Sequence, residues 1–229
     1  MSSASVIGKR LLSAAEFVRQ GACFADIGTD HAYLPIFLLN SGVIESAVCS
    51  DVNSGPLKTA ERNAREAGLY DKMKFILSDG ADKLSGLGIT DAAICGMGGE
   101  LIADIVTRAE FFRSKGFRLI LQPMSKTEVL RETILSLGFT VLSEVYSCDA
   151  GKYYVSILCE YTGEVEEWDE VRLAFGSLPK REELTSAALH YLKARERALL
   201  RRIEGKRLGG EDFSFEEKLY SFISRYLEK

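Results

Sequence analysis

The segment ADIGTDHAYLP, residues 25–35, decides the fold class. A short apolar run ending in Asp26-Ile27-Gly28 is how a buried strand feeds a nucleotide-binding turn and the helix behind it. A dinucleotide loop would continue as G-x-G-x-x-G. Here only Gly28 matches, Asp30 and Tyr33 stand at the later glycine positions, and His31 lies between them. A pyrophosphate needs bare backbone at a helix N-terminus, and Asp30 would repel it. The turn is therefore read as a ligand loop whose ligand is not a pyrophosphate.

Working outward, short apolar runs alternate with helical spacing through the first two-thirds of the chain. The runs cover residues 23–27, 47–52, 73–77, 92–95 and 118–121. Between them Leu57, Ala60, Ala64 and Ala67 recur at helical intervals, as do Leu101, Ile105, Ala109 and Phe112. This alternation predicts right-handed βαβ units and a mostly parallel α/β sheet. A further helix is expected over 128–137, stopped by Gly138, then two longer strands over 140–147 and 152–160 joined by Asp149-Ala150-Gly151. That linker predicts a terminal antiparallel hairpin.

After Tyr161 the pattern changes. Five acids surround Trp168 (Glu164, Glu166, Glu167, Asp169, Glu170), which reads as an acidic linker. Past Pro179 the chain reads as a long helix with Leu184, Ala188, Tyr191, Ala198 and Ile203 on one stripe, interrupted by Arg195 and ended by Gly209-Gly210. Ser214-Phe215-Glu216-Glu217 reads as a capping box that starts another helix, with Leu219, Phe222 and Tyr226 on one face. The expected division is an α/β domain over 1–161 and a helical hairpin, coiled-coil-like, over 162–229.

In open parallel sheets ligands bind beyond the carboxyl ends of the strands. The residues there are Asp26, Gly28, Thr29, Asp30 and His31, then Asp51 and Val52, then Asp79 and Gly80, then Gly96, Met97 and Gly98, and finally Gln122. An acid at Asp51, after the second strand, suits a ribose diol. Asp79 beside the Gly80 amide suits an adenine. A ligand with a ribose, an adenine and a positive group tolerates Asp30, and S-adenosylmethionine has all three. An NAD oxidoreductase fails on the first loop.

Composition narrows the remainder. With 46% hydrophobic and 27% charged residues in 229, the chain has ample material for a core, and no apolar run approaches a bilayer span. Met1-Ser2-Ser3-Ala4-Ser5 lacks the charged and apolar regions of a signal peptide. Five cysteines without a C-x-x-C pair read as reduced thiols, four of them within or beside apolar runs, in a cytoplasmic protein. Of the two histidines, neither stands at zinc spacing from a second ligand, so no metal is expected. The net charge of −4 hides an asymmetry: residues 180–207 hold nine Lys or Arg against four Asp or Glu. Such a run is either a solvated helix face or a polyanion contact.

The strings DIGTDHAYLP, DVNSGPL, GMGG and LQP, in that order at this spacing, closely resemble the TrmK family of bacterial tRNA (adenine(22)-N1)-methyltransferases. The resemblance covers roughly residues 7–160 well and the helical tail in outline. Met124 departs from it, standing where similar sequences are expected to carry asparagine after Gln-Pro. The resemblance implies a Rossmann-like methyltransferase sheet, S-adenosylmethionine as donor and a tRNA adenine of the D-loop region as acceptor. It implies that Gly96, Met97 and Gly98 clamp the target base, with His31 facing cofactor or substrate. With tRNA as substrate, the basic run itself, Lys193, Arg195, Arg197, Arg201 and Arg202, is read as a phosphate contact, a solvated helix face or a dimerisation device being the alternatives, and a monomer is expected. A methyltransferase for another RNA or a small molecule, or a non-catalytic adenosine-ligand binder, are the alternatives; a small-molecule enzyme would not need the basic helix, and a non-catalytic binder would not need GMGG.

Overall fold

The computed structural model describes residues 7–228; the Met1–Ser5 reading lies outside the described residues. Five parallel strands are β1 (Phe24–Ile27), β2 (Ala47–Asp51), β3 (Met73–Leu77), β4 (Asp91–Met97) and β5 (Arg118–Pro123). The hairpin β6 (Phe139–Asp149) and β7 (Lys152–Tyr161) completes a seven-stranded sheet in the order β3-β2-β1-β4-β5-β7-β6. The expected hairpin is present, with β7 inserted antiparallel between β5 and the edge strand β6. Strand order reverses at β1, which pairs with β2 on one side and β4 on the other. A crevice opens there at the carboxyl ends.

Helices α1 (Lys9–Ala15), α2 (Tyr33–Asn40) and α3 (Ser54–Glu66) cover one face, and α4 (Gly99–Arg108) and α5 (Thr127–Ser136) the other. Adjacent residues of a strand point to opposite faces. So Phe24 joins Ala14, Leu38 and Ala60 in one core while Ala25 and Ile27 join Ile102 and Val106 in the other. All four residues of β1 are buried, as a central parallel strand requires.

Several expectations shift in detail. The pattern through Leu101 and Phe112 is not one helix: α4 ends at Arg108 and a 3-10 turn carries Glu110–Phe112. Of the expected stripe Ile105, Ala109 and Phe112 are buried, whereas Leu101 is exposed and Ile102 takes the inward place. The acidic segment is not merely a linker. Asp169 caps a short helix α6 (Glu170–Phe175), accepting from the Arg172 amide at 2.8 Å, and Phe175 is fully buried. Trp168 is also buried, with the Arg172 guanidinium 3.9 Å above its ring centre. Of the cysteines, Cys49 and Cys159 are buried but Cys23 is exposed; all five are free thiols.

The tail folds as α7 (Ser186–Gly209) and α8 (Ser214–Glu228), with Gly210 closing α7 in the left-handed region. Leu192 and Leu199 are buried on α7, and Ala198 is only partly so. Arg195 interrupts the stripe because it pairs with Glu128 of α5 at 3.2 Å. The cap of α8 differs from expectation: Asp212 takes both the Ser214 amide and hydroxyl at 3.0 Å. The inward stripe of α8 is Glu216, Leu219, Ile223 and Leu227, with Phe222 exposed; Glu216 is held by Lys206 at 2.8 Å. Both helices share the core of the α4–α5 face; α7 lies against β6 and β7, and α8 packs on α7 and α6.

Arg131 of α5 and Glu144 of β6 form a fully enclosed ion pair at 2.8 Å, with side chains 0% and 2% exposed. Arg131 also donates to the Leu173 carbonyl at 2.7 Å, and Glu144 accepts from the Ser177 amide at 3.2 Å. One pair thus fastens α5, β6 and the segment around α6. Arg131→Leu strands a buried carboxylate and is expected to cost about 3–5 kcal/mol in urea unfolding. Arg131→Leu/Glu144→Leu should recover much of that loss. A double variant as unstable as the single one would refute this account of the pair.

Candidate active site

The loop after β1 is built on backbone that few residues adopt. The Gly28 and Thr29 amides both donate to the Ser50 carbonyl, at 2.8 and 2.9 Å, which draws the loop over the end of β2. Gly28 (φ +77) is followed by left-handed Asp30 (φ +40) and Ala32 (φ +56). Two non-glycine residues with positive φ in three positions are strained, and such strain concentrates at functional sites. A side chain at Gly28 would fall on the Met97 methyl carbon, so glycine lets β4's end close over β1's. The chain then enters α2 with His31 and Tyr33 stacked at 5.0 Å and 12°, and the His31 Nε2 stands 3.4 Å from the Asp30 carboxylate.

Around this loop lies a cavity of about 380 Å³, lined among others by Arg10, Asp26, Asp30, His31, Asp51 and Met97. That size lies in the usual range for a small-molecule site. Asp26 is 6% exposed and accepts from the Thr29 hydroxyl at 2.6 Å. Burial pushes its carboxyl up to about 6; the Thr29 bond and the Arg10 charge pull it back, and Asp51 adds to the rise. Asp51 accepts from the Asn53 amide at 2.8 Å through one oxygen, leaving the other for a ligand. Arg10 reaches in from α1. Its Nη1 donates to Gln122 at 2.6 Å, and Gln122 donates in turn to the Ser156 hydroxyl and to the Arg10 carbonyl. Three carboxylates against one guanidinium make a lining that favours a cation yet can also hold a carboxylate.

Of the residues expected from sequence, Asp26, Gly28, Thr29, Asp30, His31, Asp51, Gly96 and Met97 line this cavity together. Others stand outside the lining. Val52 points to solvent at 59% exposed. Asp79 pairs with Arg108 at 3.2 Å, and the Gly80 carbonyl accepts from Ser50. Gln122 is fully buried behind the wall, where it holds Arg10 rather than facing a ligand. Gly98 caps α4 one residue beyond the lining residue Met97, and a Cβ on it would stand 3.4 Å from the Ser125 hydroxyl. Arg195 is engaged with Glu128, whereas Lys193, Arg197, Arg201 and Arg202 lie along the outer side of α7 with Lys193, Arg197, Arg201 and Arg202 at least partly open to solvent.

Sequence reasoning missed Arg10, Leu11, Tyr33, Leu34 and Cys95 of the lining, of which Arg10 and Tyr33 bring polar groups. Arg10 precedes the first strand in no motif, its one signal being a basic pair ahead of the apolar Leu11, Leu12, Ala14 and Ala15. Tyr33, read from sequence only as the residue at a later glycine position, is 40% exposed and lines the cavity.

The Asp26 carboxyl gives a pH signature. A carboxyl raised in the fold holds its proton there, so ionising Asp26 weakens the free protein as pH climbs from about 3.8 to about 6. A cationic ligand binds best to the ionised form, so S-adenosylmethionine affinity should strengthen with rising pH up to about 6. Calorimetry of Asp26→Asn should show weaker binding and a flatter pH profile over that window. An unaltered profile would remove Asp26 from the site.

The sequence and fold have counterparts. A methyltransferase-domain family model matches residues 7–157. The tRNA (adenine(22)-N(1))-methyltransferase of Bacillus subtilis is 32% identical over 173 residues, 75% of this chain and 72% of the relative. The crystal structure of Streptococcus pneumoniae Sp1610 in complex with S-adenosyl-L-methionine superposes with a TM-score of 0.83 at 29% identity, over 97% of this chain and 100% of that one. Mycoplasma capricolum TrmK, at 24% identity and a TM-score of 0.79 over 97% of this chain and 98% of that one, shares the fold. With the methyltransferase model over the α/β sheet and the Bacillus subtilis enzyme matched over most of its length, the chain belongs to the tRNA (adenine(22)-N1)-methyltransferase family.

Proposed function

We propose that this protein transfers a methyl group from S-adenosylmethionine to N1 of adenine 22 in tRNA. The observation that carries the reading is an acid-lined cavity at the β1/β4 crevice of a chain belonging to this family. When bound, the cofactor supplies a methyl group on a positively charged sulfur. Asp51 is the ribose ligand, using the oxygen not taken by Asn53. Arg10 pairs with the amino-acid carboxylate, and Asp26 and Asp30 balance the positive charges. Asp79 serves the adenine from beyond the lining, with Arg108 holding its carboxylate and the Gly80 amide beside it. Val52, exposed beside Asp51, would be covered at the ribose end only by the bound ligand.

Adenine N1 carries an in-plane lone pair, so no base is needed to create the nucleophile. What the chain supplies is alignment and exclusion of water. Gly96, Met97 and Gly98 form the turn against which the base is clamped, and the His31–Tyr33 stack lines the same cavity. Charge moves from sulfur to the methylated ring, and the acids face it throughout. A base in a folded tRNA must first be turned out of its stack.

The reading places methyl transfer in 1–161 and RNA contact in 162–229, in a cytosolic monomer. No helix among the described residues is long and apolar enough to cross a membrane, and those residues hold no metal-ligating cluster. Lys193, Arg197, Arg201 and Arg202 project from α7 and contact phosphates; Arg195 orients from its bond to Glu128. The direct experiment uses labelled S-adenosylmethionine with unmodified tRNA and with the same tRNA carrying guanine at position 22. Label in the first and none in the second is expected; equal labelling would refute the acceptor assignment.

Two variants test the parts. Gly98 has an extended backbone (φ −65, ψ 145) and only ordinary contact distance to its nearest neighbour, whereas a side chain at Gly99 would meet the Lys126 and Ser125 carbonyls. Gly98→Val should therefore fold and bind cofactor normally, yet lose most methyl transfer because bulk meets the incoming base. Activity within a few-fold of wild type would put the acceptor pocket elsewhere. Reversing the charge of Lys193, Arg197, Arg201 and Arg202 should weaken tRNA binding and flatten its salt dependence at constant cofactor affinity. Full tRNA affinity would make α7 a structural helix only.

A further inference from the structure

A second cavity of about 440 Å³ lies between α7, the β6–β7 hairpin tip and the loop after β5. Its lining includes Met124, Lys152, Tyr153, Tyr191, Arg195 and Arg197. Among the described residues that line it are three cations and three tyrosines, and no Asp or Glu. That is the inverse of the cofactor cavity, where three carboxylates face one arginine.

The two cavities adjoin. The Met124 amide donates to the Met97 carbonyl at 2.8 Å, so the loop after β5 is laced to the turn that forms the acceptor mouth. On the other flank the Arg10 guanidinium, part of the cofactor wall, stands 5.8 Å from the ring centre of Tyr154, which lines the second cavity. Tyr153 is only part-exposed, and its ring is stacked on His190 at 5.3 Å and 7°. His190 lines the neighbouring groove, so Tyr153 is the partition, backed on one face. A ring fixed in this way is a stacking platform that needs no reordering when a flat ligand arrives.

Turning one base out of an RNA loop leaves its neighbour without a stacking partner. Resting on the methyl-transfer reading above, we propose that this cleft receives the nucleotide adjacent to the target adenine. Its base stacks on Tyr153, and Lys152 and Arg197 hold its phosphates. The chemistry is that of single-strand recognition: an aromatic platform plus a cationic rim, tolerant of sequence because every base has a flat face. Charge selects the occupant, since the adjoining acids would repel a phosphate from the cofactor cavity and the cations here attract it.

The test is a coupling measurement between protein and RNA. Equilibrium tRNA binding is measured for wild type, Tyr153→Leu and Tyr153→Phe, on intact tRNA and on tRNAs made abasic at the nucleotide 5′ or 3′ of adenine 22. Tyr153→Leu should weaken binding to intact tRNA by about tenfold, the effect of losing one base stack. Tyr153→Phe should retain affinity, and S-adenosylmethionine affinity should be unchanged in both. On one of the two abasic tRNAs the Tyr153→Leu penalty should vanish. An undiminished penalty on both abasic tRNAs, or none on intact tRNA, would overturn the proposal. Binding and coupling without methylation by the wild type would instead sink the methyl-transfer reading and leave the cleft assignment standing.

Discussion

Three carboxylates gathered around one cavity, beside a cleft lined by three cations, is the constraint on which the site depends. Asp26, Asp30 and Asp51 converge because the sheet reverses direction between β1 and β4. Burial raises the cost of ionising Asp26, and the neighbouring Asp51 charge adds to it. The structure offsets this with one bond from Thr29 and one guanidinium, and leaves the rest for a cationic ligand. The Arg10–Gln122–Ser156 chain keeps that guanidinium at the wall, so a residue of α1 and two of the sheet act as one element.

The same logic explains the strained loop. Gly28, Asp30 and Ala32 take left-handed backbone so that acid, imidazole and phenol follow one another around the rim. A dinucleotide loop uses its glycines to let phosphate reach the backbone; here Gly28 instead admits the Met97 side chain. The hairpin matters for a related reason. Inserting β7 beside β5 puts its tip next to the loop after β5, and α7 lies across both. The tail is thereby part of the active-site surroundings, and the Arg131–Glu144 pair secures that arrangement from beneath.

Much of this is legible in the sequence where a local signal exists. The alternation of apolar runs and helical spacing predicts the strands within a few residues, because parallel strands buried on both faces read as continuous apolar runs. The residues after those strands name most of the cavity lining. What stays hidden depends on distant chain. Arg10 carries no motif, and its role exists only because Gln122, more than a hundred residues later, accepts its hydrogen bond. Tyr33 is legible only as a departure from the glycine pattern; its place in the cavity lining and its stack on His31 appear in the fold. Gln122 is legible as a strand-end polar residue, but not as one facing Arg10 instead of ligand. The α8 stripe is misplaced because Glu216 occupies an inward position, which only Lys206 makes tolerable.

The central claim is that charge divides the surface, with the cation-binding cavity and the polyanion-binding cleft adjoining but separate. It is tested most directly by calorimetric titration of S-adenosylmethionine in the presence of saturating heparin, a polyanion without bases. The account predicts that heparin displaces tRNA while cofactor affinity stays within about twofold, since polyanion contacts are sequence-independent and confined to the basic side. Displacement of the cofactor by heparin would contradict it, because a polyanion would then be occupying the acidic cavity.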